Sequence, residues 1–133
     1  MNTNSVSIQN VSSTGVVTLG SDALFVSTKI ALPSIYDAST NLMASNLLNI
    51  LPPNEPYTAL GHIGLQNAGT DADFSNTNPD ATIVDWILVE LRDPTTPSNI
   101  LASRAALLQR DGSIVDVDGK SPVPFEGLAE GNY

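Results

Sequence analysis

The fold is decided by two apolar segments joined by a short turn: Thr82-Ile-Val-Asp-Trp86-Ile-Leu-Val-Glu-Leu-Arg92 and Ile100-Leu-Ala-Ser-Arg104-Ala-Ala-Leu-Leu-Gln-Arg110. Successive side chains of a strand point to opposite faces of its sheet. In the first segment both alternating sets are apolar: Val84, Trp86 and Leu88 on one face, and Ile87, Val89 and Leu91 on the other. This pattern predicts a central strand covered on both faces, with Trp86 as the anchor between two sheets.

The second segment predicts another long strand and the hairpin that follows it. One of its faces carries Arg104, Ala106, Leu108 and Arg110. The dipeptide Asp111-Gly112 then signals a hairpin, because glycine readily adopts the positive φ that a tight turn needs. Residues 113–117 are therefore predicted to return along the strand. Asp118-Gly119 makes the next turn, and Val123-Pro-Phe125 leads into the last segment.

Alternation also predicts strands near the N-terminus. Residues 5–11 alternate polar and apolar side chains, residues 12–15 read as a turn, and residues 16–19 can pair back across it. Residues 23–32 form the next strand, which Pro33 ends. The better core face of that strand carries Leu24, Val26, Thr28, Ile30 and Leu32, and the other carries Phe25, Ser27, Lys29 and Ala31.

The middle of the chain predicts one short helix and a long polar loop. Thr40 or Asn41 can cap a helix through residues 42–48, and Pro52-Pro53 stops it. Residues 61–79 are rich in Gly, Asn, Asp and Thr and are predicted to be the most mobile part. The fold class predicted is all-β, an antiparallel β-sandwich of about seven strands with one short helix. Residues 1–20 form an N-terminal strand arm and residues 21–133 the sandwich domain.

Composition limits the classes of function. The 133 residues contain 14 acidic and 5 basic side chains, which gives a net charge of −9. Nucleic acids and anionic membranes attract basic surfaces, so this charge argues against nucleic acid as a partner and disfavours binding to an anionic membrane. No apolar run approaches the ~20 residues of a membrane span. The absence of cysteine excludes disulfides and thiolate chemistry. Charged residues make up only 14%, which suits a secreted or cell-surface β protein, and no catalytic or cofactor motif is recognisable.

The last residues predict an open groove. Phe125-Glu-Gly127-Leu128-Ala-Glu-Gly131-Asn-Tyr133 reads as a turn followed by the first residue of another strand. A sandwich that lacks its last strand exposes unpaired backbone N–H and C=O groups, here beside Phe125, Leu128 and Tyr133. The alternating N-terminal arm, with Val6, Ile8 and Val11, is the predicted donor strand that fills this groove in a neighbouring copy.

Four segments in this order resemble an uncharacterised β-sandwich domain of large secreted, modular bacterial proteins, where it often precedes dockerin-like calcium repeats. The segments are residues 36–43, 51–61, 83–93 and 102–119, and the resemblance covers roughly residues 25–133. It implies a secreted or cell-surface location but no established activity. The motif Phe125-x-Gly127-Leu128-x-x-Gly131-x-Tyr133 is similar, more distantly, to the last hairpin of Cna-B-like and transthyretin-like sandwiches.

Two groups of side chains are candidates for chemistry. Asp111, Asp116 and Asp118 place carboxylates on turns, and such hard oxygen ligands suit Ca²⁺, although Asp-Gly pairs also simply make hairpins. The Cna-B-like resemblance further implies an isopeptide bond between Lys29 and Asn132 with Glu90 as the buried acid, although an exposed lysine is commoner. His62, the single histidine, is expected to be an ordinary loop residue.

The favoured function is therefore a structural or adhesive module that is not an enzyme. Its partners are expected to be copies of itself or other segments of the same surface protein, joined by strand addition into a homo-oligomer or filament. The alternative is a monomeric spacer, or a domain of a large modular protein that binds glycan or protein through residues 61–80.

Overall fold

A computed structural model describes residues 8–11, 17–19, 23–128 and 131–133, of which the first two ranges are described for the backbone alone. All pairings between its strands are antiparallel, which confirms the all-β class. The strands are β1 (Ile8–Val11), β2 (Val17–Leu19), β3 (Leu24–Val26), β4 (Tyr36–Asp37), β5 (Leu42–Met43), β6 (Ile83–Arg92), β7 (Ile100–Gln109), β8 (Ile114–Val115) and β9 (Val123–Phe125), and the 3-10 turns are Leu48–Ile50 and Pro79–Ala81.

The two long apolar segments form β6 and β7, which together with β8 make up the main sheet in the strand order β6-β7-β8. Trp86 lies opposite Leu107, and Leu107 lies opposite Val115 on the other side. The predicted hairpin at Asp111-Gly112 is present, with Gly112 at a φ of 86°. The strand with the strongest apolar pattern, β6, is covered on both faces as predicted, but it lies at the edge of the sheet and β7 is central.

Each face of this sheet packs against a different layer. On one face β3 and β9 lie over it, with Val26, Val123 and Phe125 against Ala106 and Leu108. On the other face the loop residues 48–74 form the cover. Trp86 belongs to this second face, packs edge-on against Phe74 at 6.4 Å, and donates its indole N–H to the carbonyl of Pro52 at 2.9 Å. The prediction that Trp86 lies between two sheets was therefore wrong.

A β-bulge explains a second difference from the expected alternation. The register of β6 against β7 shifts between Ile83 and Asp85. An extra residue in one strand moves the side chains beyond it to the opposite face. Val84 therefore packs with Ile87 on the β3–β9 side, whereas Trp86 packs with Ile83 on the loop side.

The segment after β3 joins the two sheets. β3 pairs with β9, so that Phe25 lies opposite Pro124. Four residues later the same segment pairs with the hairpin after β7, because Ile30 donates its N–H to the Gly112 carbonyl at 2.9 Å. Leu24, Val26 and Leu32 face the core as predicted, Phe25 is exposed, and Ile30 is more exposed than its face predicts.

The helix predicted over residues 42–48 is absent. Leu42 and Met43 form β5 and pair with β4, and Asn41 adopts a φ of 58° in the turn instead of capping a helix. A contact distant in sequence accounts for this: the Met43 N–H donates to the Arg110 carbonyl at 2.8 Å, and the Met43 side chain is buried in the core. The residues that remain helical form the 3-10 turn Leu48–Ile50.

The N-terminal hairpin is present in the described backbone. β1 pairs antiparallel with β2, and Ile8 lies opposite Leu19. These two strands form a sheet of their own. The predicted turn at residues 12–15 lies outside the described residues. Among the helices that the structure describes, none has the length and apolarity needed to cross a membrane.

Candidate strand-addition edge

The direction of the backbone groups in β7 shows which of them face each neighbouring strand. Gln109 donates its N–H to the Ser113 carbonyl at 2.9 Å, towards β8. Ala105 donates to the Asn67 side chain, on that same side. Because backbone groups alternate in direction along a strand, the even-numbered residues of β7 face β6. The Arg110 N–H, which donates to the Thr82 carbonyl at 3.0 Å, agrees with this assignment.

The same alternation identifies the backbone groups on the outer edge of β6. The β6 residues opposite even-numbered β7 residues are Asp85, Ile87, Val89 and Leu91. Trp86, Leu88 and Glu90 therefore direct their N–H and C=O groups away from the sheet. The Trp86 N–H donates to the Asp85 carboxylate at 2.8 Å. Within the described ranges, no other hydrogen bond engages the outward backbone groups of these three residues.

The opposite edge of β7, beyond the short β8, is covered. Leu65 forms a bridge beside Ser103, and the Gln66 N–H donates to the Ser103 carbonyl at 2.9 Å. The Asn67 side chain hydrogen-bonds both backbone groups of Ala105. Residues 65–67, which belong to the loop predicted to be mobile over residues 61–79, thus pack along the sheet. The chain covers one edge with its own groups and leaves the other without a partner in the described residues.

Side chains along β6 are only partly covered. Ile87, Leu88 and Val89 are half-buried, whereas Ala106 and Leu107 of β7 are fully buried. A long edge with apolar side chains on both faces is a template for pairing with another strand. β6 offers ten residues, which exceeds the usual strand length of about 5–6.

Charged side chains flank this edge. Arg92 forms an ion pair with Glu90 and donates to the Pro97 carbonyl at 2.8 Å. Asp85 covers the N–H of Trp86 near the other end. The part of the β6 strand without charged side chains is therefore centred on Leu88. We call the outward side of residues 86–90 the β6 edge.

The predicted groove residues lie in a different part of the fold. Phe125 is fully buried and pairs with Leu24 in the β3–β9 sheet. Leu128 packs against the same core cluster, and Tyr133 is about two-fifths exposed at 40%. The positions of Phe125, Leu128 and Tyr133 do not test whether a last strand is missing beside them, so the predicted open groove stays a prediction. Of the predicted donor residues, Ile8 and Val11 lie in β1, and Val6 lies outside the described residues.

The three candidate calcium ligands serve three different partners. Asp111 pairs with Lys29 at 2.8 Å, and Asp116 holds Arg104 through two hydrogen bonds of 3.1 Å. Asp118 accepts the backbone N–H groups of Lys120 and Ser121 and so closes its turn. In the described part of the chain, no three His, Cys, Asp or Glu side chains group closely enough to hold a metal ion. The carboxylates therefore act as turn and ion-pair groups.

The isopeptide arrangement is also absent. That reaction needs a buried lysine beside a buried acid, but the Lys29 side chain is 64% exposed. Its ammonium contacts Asp111, and Glu90 contacts Arg92. The hypothesis of a Lys29–Asn132 bond was therefore wrong.

His62 has a partner that the sequence did not indicate. Its Nε2 lies 2.9 Å from the hydroxyl of Ser103, which donates to the Gly64 carbonyl at 3.3 Å. Ser103 is buried at 2% exposure, and among the described residues no carboxylate contacts His62. The pair thus has the geometry of a structural contact.

Comparisons with known proteins do not identify a relative. No protein-family model, curated protein or solved structure matches this chain.

Proposed function

We propose that this chain is a structural or adhesive module of a secreted or cell-surface protein that associates with copies of itself by β-strand addition. The observation that carries the proposal is the asymmetry of the main sheet. Loop and side-chain groups cover the edge beyond β7, while the β6 edge presents outward backbone groups without a described strand partner. An exposed edge of this length is normally shortened, twisted or charged when pairing has to be avoided, and the charged residues of β6, at positions 85, 90 and 92, leave its centre at Leu88 uncharged.

The donor that fits this edge is β1 in the N-terminal arm of a second copy. β1 and β2 form a sheet of only two strands, and such a hairpin has little stability of its own in water. Docking β1 along the β6 edge would extend a three-stranded sheet to five. Donation from each copy to the next is a head-to-tail contact, which produces filaments when the rotation does not close a ring.

The acceptor can be blocked with one substitution. Leu88→Lys places a charge at the middle of the β6 edge, where a docked strand would desolvate it. Leu60→Lys is the matched control, because Leu60 is 79% exposed on a loop and the change in net charge is the same. We expect the wild type and the control to associate with rising concentration in sedimentation velocity and to form filaments in negative-stain microscopy, and Leu88→Lys to stay monomeric.

A mixing experiment tests the direction of donation. Ile8→Asp blocks the donor and leaves the acceptor intact, whereas Leu88→Lys does the opposite. Each variant alone should be monomeric, and a mixture should give a complex of one copy of each, since one donor and one acceptor remain. A donor-blocked variant that still dimerises would indicate pairing of two β6 edges instead. A monomeric wild type at high concentration would favour the spacer alternative.

A further inference from the structure

A cavity on the β3 side of the molecule is lined by basic, aromatic and amide side chains, including Lys29, Tyr36, Asn41 and Arg110. It measures about 360 Å³ and lies between residues 29–31, the β4–β5 hairpin and the turn at residues 110–112. Ligand sites for small molecules begin at about 300 Å³, so the cavity can hold one sugar-sized body. Lys29 and Arg110 line it, and they are two of the five basic residues in a chain with a net charge of −9.

Arg110 carries a positive charge and has no counter-ion among the residues that the structure describes. Its Nε donates to the Met43 carbonyl at 2.8 Å and its Nη1 to the Pro79 carbonyl at 3.1 Å. Among the described residues no carboxylate lies within salt-bridge distance of it, whereas Lys29 is neutralised by Asp111 at 2.8 Å. The lining of the cavity therefore carries one surplus positive charge. The Nη2 donors have no partner in the described ranges, and a planar carboxylate is one of the groups whose geometry such a guanidinium matches.

The rim of the cavity supplies an aromatic surface and an amide. Tyr36 is 40% exposed, and its hydroxyl donates to the Asn41 Oδ1 at 3.0 Å, which holds both side chains in place. The Asn41 Nδ2 makes no hydrogen bond within the described ranges and can donate to a hydroxyl group. An aromatic face, an amide donor and a fixed guanidinium together suit a ring that carries both hydroxyl groups and a carboxylate.

We infer that this cavity is a binding site for a carboxylate-bearing sugar, with Arg110 holding the carboxylate, Tyr36 contacting the ring and Asn41 donating to a hydroxyl. The site is separate from the β6 edge and does not depend on self-association. Its donors are already held in position by Met43, Pro79 and each other, so binding requires little ordering of side chains.

The experiment uses the full chain and follows its backbone amides by NMR during titration. The probe is sodium D-glucuronate, and the comparators are D-glucose, which lacks the carboxylate, and sodium acetate, which lacks the ring. Saturable shifts centred on Tyr36, Asn41 and Gly112 are expected with glucuronate and much smaller ones with either comparator. Tyr36→Ala should weaken binding by about tenfold, which corresponds to about 1.4 kcal/mol. Phe25→Ala, an exposed aromatic on β3 outside the cavity, should leave binding unchanged.

Arg110→Gln should abolish the preference for glucuronate over glucose. Arg110 also donates to the carbonyls of Met43 and Pro79, so the amide spectrum of the Arg110→Gln variant must first show that the variant is folded. If the variant is unfolded, the effect of Tyr36→Ala on glucuronate binding serves as the test of the site. Equal binding of glucose, equal binding of acetate, or no saturable shift with glucuronate would each overturn the inference.

Discussion

The carboxamide of Asn67 hydrogen-bonds both backbone groups of Ala105, in the position that the next strand of the sheet would occupy. Its Nδ2 donates to the Ala105 carbonyl at 2.9 Å and its Oδ1 accepts the Ala105 N–H at 2.9 Å. Gln66 does the same one residue earlier, with the backbone of Glu126. The side-chain amides of Gln66 and Asn67, which are adjacent in sequence, thus bind the backbone of the residue after β9 and the backbone of β7, respectively. The covered edge of β7 is the counterpart of the open edge of β6.

Replacing Asn67 with aspartate should destabilise the fold strongly. The substitution keeps the shape but turns the donor that faces the Ala105 carbonyl into an oxygen and buries a charge at a site that is 8% exposed. We expect a loss of about 3 kcal/mol in the free energy of unfolding, measured by urea denaturation. Gln66→Glu is the control, because it breaks an equivalent contact at an exposed position and should cost about 1 kcal/mol or less. Equal losses in the two variants would contradict a structural role for burial at Asn67.

The turn at Gly112 should tolerate no side chain. A Cβ added there would lie 2.6 Å from the Ile30 carbonyl oxygen, which is a backbone atom that cannot move without breaking the pairing of residues 28–30 with residues 112–114. Gly127 has a similar φ of 73°, but a Cβ there would meet no atom within 4 Å. Gly127→Ala should cost about 1 kcal/mol from backbone strain alone. Gly112→Ala should cost at least about 2 kcal/mol more in the same denaturation experiment, by the usual scale of core clashes.

Much of the fold could be predicted from local pattern. The long hairpin of β6 and β7, the turn at Gly112, the N-terminal hairpin and the core face of β3 depend on alternation and on glycine, which are readable along the chain. The bulge before Asp85 was not readable, because β6 is apolar on both faces and a shift by one residue leaves that pattern looking the same. The helix predicted at residues 42–48 failed for a different reason, since a contact with Arg110 determines the conformation of Met43.

The candidate edge was missed because strand order is a non-local property. Apolar side chains on both faces are typical of an inner strand. In β6 both faces are covered by other layers, yet the strand lies at the end of the strand order and its outward backbone groups face no strand among the described residues. One signal was available. Asp85, Glu90 and Arg92 place charges within an otherwise apolar strand, and charges of this kind are typical of sheet edges. The Asn67 contact could not be inferred, because a single amide in a polar loop carries no sign of its partner.

Acid should weaken the loop layer through Glu55. Burial of this residue acts to raise the pKa of its carboxyl, but hydrogen bonds from Thr58, Gly69 and Tyr57 outweigh burial and lower the pKa. A lowered pKa favours the charged form in the folded state. The resulting stability is present above the unfolded pKa of about 4.3 and is lost as pH falls through the folded value.

Glu55→Gln should therefore reduce stability at neutral pH and flatten the loss of stability below about pH 4.3. The measurement is urea denaturation at a series of pH values. Glu126→Gln, an exposed glutamate with the same change in charge, should keep the wild-type slope and so account for the effect of net charge. A wild-type slope in Glu55→Gln would show that other carboxylates control the acid limb.

At alkaline pH the partly buried phenol of Tyr57 should affect stability. Burial raises the pKa of its phenol to about 12, and the charges of Asp85 and Glu55 add to the effect. A raised pKa favours the neutral phenol in the folded state, so its contribution to stability is complete below pH ~10 and is lost as pH rises towards the folded value. Ultraviolet titration should show one phenol that ionises about two pH units late, and Tyr57→Phe should remove that step while Tyr36→Phe retains it. If no phenol ionised above the ordinary value of about 10 while the circular dichroism of the folded chain stayed intact, the partial burial of Tyr57 against the loop-side core cluster would be contradicted.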